Sequence, residues 1–185
     1  MSQNRYGCCF IGRKRWKGAK RMEQEEWKQT YEMYRRPLFL YALSLTKNIQ
    51  DAEDLLQETF IKAFLSYEKT GSIRYWLVTV LRNEFLNLYR KRKREILDGG
   101  NIQPNPEESE EKTVIDEIIK QEERKILFYA IQELPIMMKE VLMESTYFHM
   151  KDEEIAKMHG ITRENVRKIR SRAKQKLIER LEGES

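Results

Sequence analysis

Cysteine, glycine, proline and histidine are all scarce in this sequence, and each shortage closes off a class of protein. The two cysteines of the 185-residue chain, Cys8 and Cys9, are neighbours, so neither a disulfide framework nor a spaced zinc set is available. A reducing, cytoplasmic setting is expected. Eight glycines and four prolines are too few for a turn-dense β architecture, and the wealth of Leu, Lys, Arg, Glu and Met favours helix. His149 and His159 are the only histidines, and both read as ordinary helix-end residues. The longest apolar stretches, around Leu38–Leu45 and Ile126–Ile131, fall well below the roughly 20 apolar residues of a membrane span. A soluble, all-α protein of one medium or two small domains is the expectation.

Negative charge is missing from one end. Met1–Arg21 holds seven Lys and Arg side chains and no acid, so the chain from Met22 onward carries a net −2 against +5 for the whole. Any argument for nucleic-acid binding therefore rests on local patches. The leader shows no helical period and reads as a disordered basic tail. Lys17-Gly18-Ala19 can be encoded by AAA GGA GCN, a purine-rich ribosome-binding sequence ahead of the Met22 codon. The expected physiological start is Met22, with residues 1–21 as translated upstream sequence.

What is present is helical periodicity in two lobes. In the first, residues 22–95, Trp27, Tyr31, Tyr34, Leu38, Tyr41, Ala42, Leu45, Leu55, Leu56, Phe60 and Phe64 recur at helical spacing. Breaks are expected at Pro37, at Asn48–Asp51 with Asp51 as the next cap, and at Thr70–Ser72 with Ser72 capping a helix from Ile73 through Arg94. Residues 96–114 carry Gly99-Gly100, Pro104 and Pro106 among many acids and read as a flexible acidic linker. It is either a solvated spacer or a nucleic-acid mimic threading a basic channel. Periodicity resumes over 115–182 through Ile115, Ile118, Ile119, Ile126, Leu127, Ala130 and Ile131. Leu134-Pro135 breaks it, and helices follow at Met137–Tyr147, Asp152–His159 and Thr162–Leu181.

The last two helices have the grammar of a helix-turn-helix. Asp152 is placed to cap the first, with Ile155, Ala156 and Met158 facing inward; Gly160 turns the chain, and Thr162 caps the second. Val166, Ile169, Ala173 and Leu177 face the core, which leaves Arg163, Asn165, Arg167, Lys168, Arg170, Ser171, Arg172, Lys174 and Lys176 outward. Such a helix fits the major groove, where Arg reads guanine, Asn reads adenine and Lys neutralises phosphate.

In the first lobe, Asp51–Phe60 (DAEDLLQETF) is an acidic amphipathic helix with Asp54, Gln57 and Glu58 on one polar face. The face suits docking to an Arg-rich partner; with no histidine or second acidic cluster beside it, metal binding is disfavoured. Ser72–Arg94 (SIRYWLVTVLRNEFLNLYRKRKR) sets aromatics beside cations, the combination that holds a single strand. Trp76, at helical spacing with Leu77 and Val80, reads as core and not as a base platform.

Together these motifs resemble the extracytoplasmic-function group of bacterial sigma factors, in order and at the right spacing from Glu23 to about Leu181. The resemblance implies a non-enzymatic RNA polymerase subunit without cofactors or metal, built from sigma-two and sigma-four lobes, that directs initiation at promoters. It implies that Asp51, Asp54, Gln57 and Glu58 dock on the β′ clamp helices of core polymerase. Ile73–Arg94 would melt and read the −10 element, with Asn83 near a flipped-out base, Asn87 on the same −10 surface and Arg90, Lys91 and Lys93 on phosphates; the loop Tyr67–Tyr75 would complete the pocket. Arg163, Asn165, Arg167, Lys168, Ser171 and Arg172 would meet the −35 element. The packing side of the second lobe would meet the β flap, and the linker would thread toward the active-site cleft. An anti-sigma factor, often membrane-bound, is a further implied partner. Three departures stand out: Asn87 where the family usually has Asp, Ile169-Arg170 where many members have Arg then Leu, and no additional domain. The rival readings are an autonomous helix-turn-helix regulator, which leaves the acidic helix unexplained, and a nuclease using Asp51, Asp54 and Glu58.

Overall fold

The computed structural model describes residues 22–69, 71–97, 115 and 118–183. Every regular element among them is helical: α1 (Gln24–Thr46), α2 (Ile49–Ser66), α3 (Ile73–Leu97), α4 (Glu122–Gln132), α5 (Ile136–Leu142), a π turn (Met143–Tyr147), α6 (Asp152–His159) and α7 (Arg163–Gly183). The leader and residues 98–114 of the linker lie outside the described residues. No described helix is long and apolar enough to cross a membrane.

α1 begins where the Glu23 N–H donates to the Glu26 carboxylate at 2.8 Å and ends at Lys47, whose left-handed backbone (φ 53) lets its N–H reach the Leu43 carbonyl. The expected break at Pro37 does not occur, and the helix runs through it. An interior proline costs about 3 kcal/mol. What outweighs it is the next stretch: all eight residues from Leu38 to Leu45 are buried, and each large apolar side chain fully buried contributes about 1.5–3 kcal/mol. A helix buried on every side needs neighbours on every side. α2 and α3 cover one flank, and α4 and α5 of the second lobe cover the other.

α2 is capped by Asn48, whose side chain accepts from the Asp51 N–H at 2.8 Å. Asp51 is thus inside the helix and is not its cap; the side-chain oxygen must precede the free N–H groups it serves. Ala52, Leu55, Thr59 and Ala63 make the buried stripe of α2, while Phe64, at 64 % exposure, points outward. Ser72 caps α3 as expected, accepting from the Tyr75 N–H. α3 continues to Leu97, past the expected end at Arg94 and past the lobe boundary at residue 95.

In the second lobe Pro135 separates α4 from α5, as expected. Phe128, Ala130 and Ile131 carry α4's core face, but Ile126 and Leu127 are exposed; the helix is buried only from Phe128 onward, over its second half. The helix expected over residues 137–147 changes at Met143 into a π turn, closed by the Phe148 N–H on the Met143 carbonyl. α6 follows the expected bounds. Its N-cap is Lys151, whose own N–H donates to the Glu154 carboxylate at 2.8 Å, so Asp152, the first helical residue, is not the cap. Gly160 turns the chain at φ 64, and Thr162 accepts from the Asn165 N–H to start α7.

The two lobes are packed together. Lys47 meets Glu133 at 2.9 Å on the rim. Beneath it Lys139, 2 % exposed, donates to the Gln132 carbonyl at 2.8 Å and to the Ser44 carbonyl of the first lobe. Burial, then the Lys47 cation, pull the Lys139 ammonium down to about 8 from its ordinary 10.5. Between these two values the unfolded chain holds more protons than the folded one, so this contribution to stability grows as pH rises from 8 toward 10.5 and is lost as pH falls through 8. Unfolding titrations between pH 8 and 10 should show stability rising by about 1–2 kcal/mol, and Lys139→Met should remove the rise. A parallel rise in the variant would assign it elsewhere.

Candidate nucleic-acid and partner-binding surfaces

The acidic face of α2 and the basic end of α3 come together as the two walls of one groove. Asp51, Asp54, Gln57 and Glu58 line one side; Asn87, Arg90, Lys91 and Lys93 line the other, with Leu55, Ile61 and Leu88 at its floor and rim. Asn83 lies outside this lining, one turn earlier on α3 and half-buried. The two expected site groups of the first lobe are therefore contiguous. They are not equally free. Asp51 is clamped by Arg92 at 2.5–2.7 Å, which makes it a support for the groove's end. Asp54 and Gln57 are exposed. Glu58 shares Lys62 with Glu84, at 3.1 and 2.8 Å.

The loop from α2 to α3 is held by aromatics. Tyr67 is 6 % exposed, and its hydroxyl donates to the Gly71 carbonyl at 2.6 Å. Its ring packs edge-on against Trp76 at 5.7 Å and against Trp27 at 6.4 Å. Trp76 is half-buried in this chain of rings, so its aromatic face belongs to packing, as its spacing predicts.

On the second lobe, all six expected −35 residues of α7, Arg163, Asn165, Arg167, Lys168, Ser171 and Arg172, are exposed. Val166, Ala173 and Leu177 anchor the opposite face in the core. Several of the cations are paired to carboxylates. Arg163 meets Glu153 at 2.8 Å and Lys168 meets Glu164 at 2.7 Å; such exposed pairs are worth about 0–1 kcal/mol and exchange readily for phosphate. Asp152 has a larger part. It accepts from Arg170 at 2.6 Å and from Arg167 at 2.9 Å, and these hydrogen bonds, Arg170's first, hold its carboxyl below the usual range. Arg170, expected to face outward, is drawn half-in by this bond. Asp152 therefore holds two α7 arginines from the preceding helix, a role that replaces the expected cap.

One cluster escaped the sequence reading. His159, read as an ordinary helix-end residue, has a fully buried side chain. Its Nε2 lies 2.7 Å from Glu144, and Glu144 accepts from the Tyr41 hydroxyl of the first lobe at 3.0 Å. Glu140 lies 2.9 Å from Arg82, again across the lobes. Burial first, and then the carboxylates of Glu144 and Glu140, push the Tyr41 hydroxyl well above its ordinary value. Burial likewise raises the Glu140 carboxyl. The available signal was two glutamates four residues apart in an apolar helix; their partners are about 60 and 100 residues away and carry no local mark.

Known proteins bear on this geometry directly. The Sigma-70 region 2 family matches residues 30–95, which span α1 to α3, and the Sigma-70 region 4 family matches residues 124–177, which span α4 to most of α7. The chain is 31 % identical over 159 residues to the ECF RNA polymerase sigma factor SigM of Bacillus subtilis, covering 80 % of this chain and 91 % of the relative. It is 28 % identical to the RNA polymerase sigma factor YlaC of the same organism, covering 80 % and 87 %. Among solved structures it resembles the sigma factor RpoE of Bartonella quintana, crystallised with the anti-sigma factor NepR, at 27 % identity and TM-score 0.66, covering 85 % of this chain and 98 % of that one. Sigma factors as a family are not enzymes. Two regions matched in order, and a relative aligned along most of both chains, place this protein in the extracytoplasmic-function group of RNA polymerase sigma factors.

Proposed function

We propose that this sigma factor docks on core polymerase through the exposed acids of α2, Asp54, Gln57 and Glu58, with Asp51 held in place by Arg92. α3 engages the −10 strand: Asn83 and Asn87 lie beside an extruded base while Arg90, Lys91 and Lys93 hold phosphates. α7 enters the major groove of the −35 element with Arg167, Lys168, Ser171 and Arg172, flanked by Arg163 and Asn165. The first lobe takes residues 22–95 with α3's last turn, the second 115–182, and the linker between them makes the second promoter contact effectively intramolecular. The observation that carries this reading is the helix-turn-helix with a buried Val166–Ala173–Leu177 seam and an opposite face of exposed cations. Extruding a base costs a few kcal/mol, which the pocket and phosphate contacts must offset. An anti-sigma partner is seen with the similar RpoE chain; for this chain such a partner is proposed, and the covered helical faces would be those of α2, α3 and α7.

Run-off transcription with purified core polymerase on a genomic promoter library tests the reading. Protein-dependent transcripts sharing −35 and −10 elements are expected. Asn83→Ala should lower open-complex formation about tenfold, the loss of roughly 1.4 kcal/mol, without changing competition for core. Binding of duplex DNA with no complex on core and no transcripts would instead establish an autonomous regulator.

A further inference from the structure

Arg82 is a full charge buried where an apolar side chain would pack better. Its side chain is 11 % exposed and that of Glu140, from the other lobe, 2 %. Arg82 Nε and Glu140 Oε1 stand 2.9 Å apart. Taking both ions out of water costs several kcal/mol, and their attraction often recovers only part of that. Interlobe adhesion alone does not account for an arginine here. Its place on α3 does. Arg82 immediately precedes Asn83 and lies about 100° from it around the helix, upstream of the exposed Arg90, Lys91 and Lys93.

We infer that Arg82 is a phosphate-binding residue of the −10 surface, and that Glu140 occupies its guanidinium in the closed chain as a stand-in for that phosphate. The inference rests on the proposed sigma function. A guanidinium accepts carboxylate and phosphate in the same forked geometry, so opening exchanges one anion for another and leaves no bare charge on α3. On opening, Glu144 keeps His159, its partner within the second lobe at 2.7 Å, while Tyr41, Ser44, Lys47 and Arg82 of the first lobe each give up a partner in the second. The lobes have to part in any case. Elements centred at −35 and −10 are about 85 Å apart along duplex DNA at 3.4 Å per base step, whereas a closed body of this size is roughly 40 Å across.

The test compares Arg82→Gln, Glu140→Gln and the double variant in two settings. In holoenzyme on a promoter found by run-off transcription, Arg82→Gln should weaken open-complex formation several-fold. It should also reduce the dependence of log K on log salt by about 0.7, the value of one single-strand phosphate contact. Glu140→Gln should leave both unchanged. In the free full-length chain, Glu140→Gln should raise affinity for a single-stranded oligonucleotide of the same −10 sequence about tenfold, and the double variant should lose that gain. An unchanged salt slope for Arg82→Gln, in a holoenzyme that transcribes normally, would overturn the inference while leaving the sigma function standing. Wild-type protein that directs no transcription would overturn the function itself. Glu140→Asp, which keeps the charge, serves as the folding control and should behave as wild type with the oligonucleotide; a tenfold gain there would also count against masking by charge.

Discussion

Glu144→Ala should lower the free energy of unfolding by about 3 kcal/mol, because it strips a buried cluster of the group that satisfies two others. The carboxylate is fully buried, accepts the Tyr41 hydroxyl with one oxygen and meets His159 with the other. Each polar group left unsatisfied in the interior costs about 1–3 kcal/mol, and a cavity adds to that. At about 2–4 °C per kcal/mol for a chain of this size, the midpoint of thermal unfolding should fall by roughly 6–12 °C. Glu144→Gln keeps the shape and one acceptor oxygen and should cost about 1 kcal/mol. A midpoint for Glu144→Ala within 1 °C of wild type would mean that the cluster contributes nothing to stability. The same site has an alkaline limit. With the Tyr41 hydroxyl raised above its ordinary 10.0, its contribution is fully present below pH 10 and is lost as pH climbs further, when the unfolded chain releases that proton first.

The double variant Arg167→Ala/Arg172→Ala should reduce specific promoter binding by holoenzyme about 10²- to 10³-fold. A well-made bidentate contact to a base discriminates by roughly 1–3 kcal/mol, and the two side chains stand on the exposed face of α7. They start from different states. Arg167 is held by Asp152 at 2.9 Å, so its side chain is ordered before DNA arrives; among the described residues no ion pair holds Arg172. Arg167→Ala should therefore cost more than Arg172→Ala, and Asp152→Ala should recover part of that difference by slackening Arg167 in the parent chain. Binding isotherms on a promoter and on a template with a scrambled −35 element separate the specific from the phosphate term. Equal losses on both templates would remove α7 from base reading and leave it as a phosphate-binding helix.

Much of this architecture was legible because its causes are local. Gly160 turns the chain and Thr162 caps α7 within a few residues of where they stand, and the Val166–Ala173–Leu177 stripe needs only a 3.6-residue period. Pro37 misled for the opposite reason. A proline's cost is local, but the burial of Leu38–Leu45 that overrides it comes from helices of both lobes. Asp152 was misplaced because an aspartate before a helix has two uses, and the arginines that claim it are 15 and 18 residues away. The exposed cationic face of α7 was readable from charge pattern alone. Arg82, Glu140, Glu144 and His159 were not, since nothing marks an ionic residue as buried until its partner on another helix is known. The groove between α2 and α3 lay in between: each wall was visible in sequence, their adjacency was not.

The aromatic chain Trp27–Tyr67–Trp76 gives the protein an optical asymmetry. No tryptophan occurs after residue 76, so the second lobe is dark to indole emission and the two described indoles both flank the ring that pins the α2–α3 loop. On the proposed function, a strand seated at that loop would alter emission intensity and wavelength, while docking of α7 on duplex DNA would leave the indoles in place. Two events of promoter engagement would then be timed separately by one intrinsic probe.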